Sequence, residues 1–202
     1  MSSETTPEPL DVGAGIAQAV ASYRDDGGDV AALHERLVAL MTGASPEALA
    51  DGVEPFRDIP EVAGFVYERI VAERPADARA LVILANAYWL AGRGPDAVGE
   101  LATRAIAADP ANRGAWHLWA LTESNPRQRT ERWRQVTTRF PEDDLAKAVL
   151  ADNAASLAGA EHDYDALDLA VETYESLLAR ARHPQQRAAL ETAIATLKGW
   201  KF

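Results

Sequence analysis

The stretch from Ala78 to Pro110, ARALVILANAYWLAGRGPDAVGELATRAIAADP, constrains what this chain can fold into more than any other. It reads as two antiparallel helices closed by a tight turn. The small residues Ala85 and Ala97 let the two helices approach closely, while Leu81, Leu84, Tyr88 and Leu101 fill the space between them. One such pair cannot bury its apolar faces alone, so the rest of the chain has to supply stacked neighbours.

The composition permits this. Of 202 residues, 48% are hydrophobic and 25% charged, which suits one elongated domain burying roughly 70% of its unfolded surface. Helix formers dominate every long segment and runs of β-branched residues with period two are absent, so the fold class expected is all-α. With no cysteine, disulfides, thiol catalysis and cysteine-based metal sites are excluded. No basic segment precedes an apolar run, and no stretch approaches the ~18 apolar residues of a membrane span. The expectation is a cytoplasmic protein with no membrane contact. The net charge of −11 argues against general nucleic-acid binding, which depends on neutralising phosphates.

Taken in order, residues 1–9 (MSSETTPEP) lack periodicity and are expected to form a disordered tail. Val12, Ile16, Val20 and Tyr23 recur at helical spacing between Leu10 and Asp26, and Gly27-Gly28 ends the run. Asp29 then caps a second helix with a stripe of Val30, Leu33, Leu37 and Leu40. Residues 10–60 are thus an N-terminal helical hairpin followed by an irregular joint, where Pro46, Pro55 and Pro60 leave room for a short helix near Glu47 to Val53. Gly13 and Gly15 do not make a phosphate loop, because no strand precedes them and the third glycine is missing.

In the central stretch the order Leu81-x2-Leu84-Ala85-x2-Tyr88, Ala97-x3-Leu101, Pro110 resembles the tetratricopeptide repeat (TPR) pattern W-x2-L-G-x2-Y…A-x3-F…P of about 34 residues. Ala63-x3-Tyr67 and Pro75 match the end of a preceding unit, whose upstream positions Glu47, Ala50, Asp51 and Glu54 do not fit. Trp116-x2-Trp119-Ala120 opens a following unit with a shortened turn at Asn125-Pro126. Ala154-x2-Leu157-Ala158, Ala170-x3-Tyr174 and Pro184 make a third, its proline about two residues late. The resemblance implies an antiparallel helix-hairpin solenoid over residues 61–184, about three units plus a half unit. Residues 185–202 would form a capping helix, with Ala189, Ile194 and Leu197 on one side, and a C-terminal tail.

In that family the first helix of each unit lines a concave face that holds partner segments. Carried over, the resemblance implies that Arg79, Val82, Asn86, Trp89 and Leu90 face the groove, followed by Gly114, His117, Leu121 and Ser124, then Asp152, Ala155, Gly159 and His162. Arg79, Val82, Asn86, Trp89, His117 and Leu121 are the candidate partner-binding residues. Trp89 has two readings, a groove anchor or a packing residue against a neighbouring unit. Asn86 stands where carboxylate-clamp domains carry an asparagine, but the basic and amide residues such a clamp needs near Val82, Leu118, Asp152 and Ser156 are missing.

Charge is uneven. Residues 111–141 hold six arginines against two glutamates, and residues 142–175 hold ten acidic residues against one lysine. Arg127, Arg129, Arg132, Arg134 and Arg139 form either a docking patch for an acidic partner or an internal complement to Asp143, Asp144 and their neighbours. Arginines interleave with Trp116, Trp119 and Trp133 as in single-strand binders, but the adjacent acidic unit would repel a phosphate chain. Glu161-His162-Asp163-x-Asp165 is the densest set of metal-ligand types, at a helix–helix turn where aspartate caps are expected and without a second histidine at i+4.

Three functions compete. The leading one is a non-enzymatic adaptor or scaffold that holds a segment of a partner protein or peptide, without cofactor or metal. The second is a self-assembling homodimer, with the Leu10–Met41 hairpin or Trp200 and Phe202 as contacts. The third is an all-α enzyme with His117 or His162 as general base.

Overall fold

The computed structural model describes residues 11–202. The expected tail at residues 1–9, and Leu10, lie outside the described residues. Among the described residues the chain is helical throughout, in two compact units that divide after Asn112.

The first unit holds α1 (Val12–Asp25), α2 (Val30–Met41), α3 (Pro46–Val53) with a 3₁₀ turn at Glu54–Phe56, α4 (Pro60–Glu73), α5 (Ala78–Leu90) and α6 (Pro95–Ala108). Their starts are written in the sequence. The side chains of Asp11, Asp29, Ser45 and Asp77 accept the N–H three residues on, and Pro46, Pro60 and Pro95 occupy the first helical turn, where a missing N–H costs nothing. Consecutive helices pair as antiparallel hairpins, α1 with α2, α3 with α4 and α5 with α6. Neighbouring hairpins stack through α1 on α3, α2 on α4 and α4 on α5.

The half unit foreseen before Ala63 therefore has its first helix. In α3 the pattern-breaking Glu47, Ala50 and Asp51 face outward to varying degrees, and Leu49, Gly52 and Val53 do the packing instead. The eight-residue helix is too short to display the usual landmarks. α2 is anchored on α4 by His34, whose Nε2 donates to the Glu61 carbonyl (3.1 Å) while its ring stacks on Phe65.

In the α5–α6 hairpin, Leu81, Leu84, Ala85 and Ala87 are buried together with Val98, Leu101, Ala102 and Ala105. Of the two small residues expected at this interface, Ala85 is buried and Ala97 only half-buried, and between α4 and α5 a Cβ on Gly64 would lie 3.7 Å from the Cβ of Ala87. Tyr88 Oη donates to Glu68 of α4 (2.8 Å), and Arg93 covers the Tyr88 ring while reaching the same carboxylate. Burial, then the hydrogen bond to Glu68, pushes the Tyr88 hydroxyl above its ordinary pKa.

The second unit holds α7 (Arg113–Leu121), α8 (Pro126–Arg139), α9 (Asp144–Glu161), α10 (Tyr164–Arg180) and α11 (Pro184–Lys198). Each packs on the next. One core gathers Ala120, Trp133, Val136, Ala146 and Leu150, and another Ala154, Leu157, Ala158, Ala166, Leu167, Ala170 and Leu197. Pro75, Pro110 and Pro141 sit in the turns between hairpins, whereas Pro184 is the first residue of α11. That explains its late spacing: it opens the last helix and does not close a repeat. α11 buries Ile194 and Leu197 with Leu190 partly covered, and Ala189, expected on the same side, is exposed. Residues 190, 194 and 197 keep the i, i+4, i+7 stripe that 189 leaves.

Candidate partner-binding groove

The outward face of α5 is the place where exposed apolar and polar groups converge. Ala80, Leu81, Leu84, Ala85 and Ala87 turn inward, which leaves Arg79, Val82, Asn86, Trp89 and Leu90 on the opposite arc at the spacing of one helix face. They border a groove of about 510 Å³ in the first unit, whose other wall carries Arg57 and Asp58 from the turn after α3. Trp89 is 41% exposed and Leu90 61%. Trp89 thus faces the groove and is not packed away.

Charge around the groove is organised by Glu54, which takes Arg79 at 3.0 Å and Arg57 at 3.1 Å. Both arginines keep most of their side-chain surface in solvent and hold N–H donors free to turn toward a ligand. The wall residues Arg57 and Asp58 were not legible in the sequence. They lie in what reads as a joint, and only the 3₁₀ turn Glu54–Phe56 brings them beside α5.

His117 and Leu121 belong to the second unit. Leu121 is 39% exposed. His117 lies mostly within the fold: its Nε2 meets Asp143 at 2.7 Å and its ring stands edge-on to Trp133. Asp143 is buried, caps α9 through the Ala146 N–H and has Arg113 at 3.6 Å. Burial alone would raise its pKa, but the Ala146 N–H, the His117 hydrogen bond and the charges of His117 and Arg113 outweigh it and hold the carboxyl below its ordinary range. The pair ties α7 to the start of α9.

The arginines of α8 are engaged within the second unit, and the ion pairs of Arg127, Arg132 and Arg134 go to carboxylates other than Asp143 and Asp144. Arg127 bridges Glu161 and Asp163, Arg132 meets Glu123 and lies over the Trp119 ring, and Arg134 pairs with Glu131. Arg129 donates to Asn153 and to the Glu123 carbonyl, and Arg139 lies over Trp116. Asp144 instead holds Arg180. Arg127 and Arg129, near the start of α8, reach the later part of α9 and the α9–α10 turn because the two helices run antiparallel, whereas Arg132 and Arg134 find their carboxylates close in sequence, at Glu123 and Glu131. A second groove of about 520 Å³ lies over Thr130, Leu157, Ala166 and Leu169.

Within the Glu161–Asp165 cluster Asp163 is the N-cap of α10, held below its ordinary pKa by the Ala166 N–H and by Arg127. His162 is the left-handed residue that ends α9, at φ 54°. Among the described residues no group of three or more potential ligands is arranged to hold a metal ion, and no helix is long and apolar enough to cross a membrane. Trp200 and Phe202 pack on their own unit, against α9 and the start of α10.

No family model and no curated sequence matches the chain. Solved structures do. A crystal structure of MamA protein superposes with a TM-score of 0.59 at 17% identity, over 86% of this chain and 99% of that one. A second crystal structure of MamA gives 0.61 at 16% identity, over 80% and 96%. TTC0263, a thermophilic TPR protein in Thermus thermophilus, gives 0.53 at 16%, over 93% and 98%. At such identities the likeness is one of fold, and the fold of this chain is a TPR-like helical repeat.

Proposed function

We propose that the chain is a non-enzymatic interaction module, an adaptor or scaffold, that holds a segment of a partner protein on the outward face of α5. What supports this most is the exposure of Trp89 and Leu90 beside Arg79 and Asn86 in one groove. A large aromatic left in solvent next to a leucine and a pair of hydrogen-bonding side chains is the composition of an interface anchor. Val82 lines the groove, Asn86 offers donor and acceptor to a backbone, and Arg79 and Arg57 receive carboxylates or carbonyls. Leu121 is a further contact within the second unit, with His117 shaping the surface through Asp143.

Affinity capture from the cells that make the protein, at moderate salt, tests this. The wild-type chain is expected to recover one stoichiometric protein that the variant Trp89→Ala/Leu90→Ser does not. Equal recovery by both, or none over several growth conditions, contradicts it.

A further inference from the structure

α5 and α9 hold corresponding places in their hairpins: the buried Leu81, Leu84 and Ala85 match the buried Ala154, Leu157 and Ala158. The same register matches Asn86 to Gly159 and Trp89 to His162. On α5 those positions line an open groove. At the end of α9 the chain's own Trp200–Phe202 segment lies against them, while both keep part of their surface in solvent. A Cβ on Gly159 would lie 3.3 Å from Cη2 and Cζ3 of Trp200, so the indole rests on the helix where a side chain is missing. Glycine is the poorest helix former after proline, and that indole is a physical reason to find one here.

The second ring is held as specifically. Phe202 stacks on His162 with centroids 5.1 Å apart and meets Tyr164 edge-on at 5.1 Å. Tyr164 Oη accepts from the Phe202 N–H and donates to the Phe202 carbonyl, each at 3.1 Å. These bonds go to backbone atoms, so they are available to any residue in that place. Yet the seat is shallow, with Tyr164 53% and Phe202 41% exposed.

We propose that this face of α9 is a second segment-binding surface, for partner segments carrying two aromatic residues separated by one, and that Trp200–Phe202 closes it in cis. Gly159 receives the first ring, His162 and Tyr164 the second, and Tyr164 fixes the backbone between solvent and helix. A tethered occupant competes at an effective concentration of about millimolar, so the surface opens to a partner that binds better or is concentrated locally. The surface lies within the second unit and does not depend on the α5 groove.

Titration of a fluorescently labelled peptide of residues 198–202 into the full chain tests it. The Trp200→Ala/Phe202→Ala variant is expected to bind the peptide at least tenfold more tightly than the wild type. Adding Gly159→Leu, a change on an exposed and helix-compatible position, is expected to abolish that binding. Trp89→Ala should leave it unchanged, which separates this surface from the α5 groove. If the double variant does not keep its helical melting transition, Phe202→Ala alone takes its place. No binding by the opened chain, equal binding by opened and wild-type chains, or binding indifferent to Gly159→Leu overturns the proposal.

Discussion

At Gly52 a methyl group would be crowded, its neighbours having to give way by a few tenths of an ångström. An added Cβ would lie 3.1 Å from Cα of Gly13 and 3.2 Å from Cδ1 of Ile16, so α1 and α3 meet there backbone to backbone. The glycine that resembles a fragment of a phosphate loop in DVGAG is thus a helix-crossing residue. Gly52→Ala is expected to cost about 1–3 kcal/mol in a urea titration through overpacking, and unchanged stability would contradict the close approach. Asp143 works differently. Its folded pKa lies below the unfolded value of 3.8, so its stabilisation is fully present above that value and is lost as pH falls through the lower, folded one. Asp143→Ala removes both the cap and the partner of His117 and should cost about 2 kcal/mol at pH 7. Asp143→Asn keeps the cap and should cost less while flattening the acid limb of the stability curve; an unchanged acid limb would show that the charge is idle.

Among the elements, α5 separates packing from presentation most clearly. Leu81 is fully buried, and Leu81→Ala should cost about 2–5 kcal/mol. Trp89→Ala/Leu90→Ser, on the opposite arc, should shift stability by less than about 1 kcal/mol, since exposed substitutions of this kind have small effects. Chemical denaturation of the two variants checks this, and comparable losses would mean that Trp89 is a packing residue after all. The landmark spacing made the α5–α6 hairpin legible because both helices are long enough to show a full apolar stripe. α3 was legible as a short helix near Glu47 to Val53 but not as the first helix of a repeat, because eight residues hold only two turns and its packing rests on Leu49, Gly52 and Val53. Pro184 was misplaced because a proline at a hairpin joint and one in the first turn of a helix look alike until the helix start is known. For the α8 arginines the structure shows internal pairs, but with Glu161, Asp163, Glu123 and Glu131 and not with the expected Asp143 and Asp144, because Arg127 lies beside the end of α9 and Arg132 and Arg134 have carboxylates nearer in sequence.

For the molecule as a whole, the all-helical class was legible from the dominance of helix formers, and the hairpins from the resemblance of their landmark spacing, with prolines at the joints, to the TPR pattern. The split into compact units after Asn112 was not, since the landmarks run through that point without interruption. The groove was half legible: Arg79, Val82, Asn86 and Trp89 share the helix face that the TPR resemblance implies for the groove, while Arg57 and Asp58 arrive by a tertiary route. A module of this kind acts by what its open face holds, and a photo-crosslinking side chain placed on that face reads this directly. With p-benzoylphenylalanine at position 82 on α5, irradiation in cells is expected to give one dominant protein adduct. The same group at position 100, on the exposed side of α6, is expected to give none. Adducts of equal yield and pattern from the two positions would contradict the assignment of the α5 face as the partner-binding site.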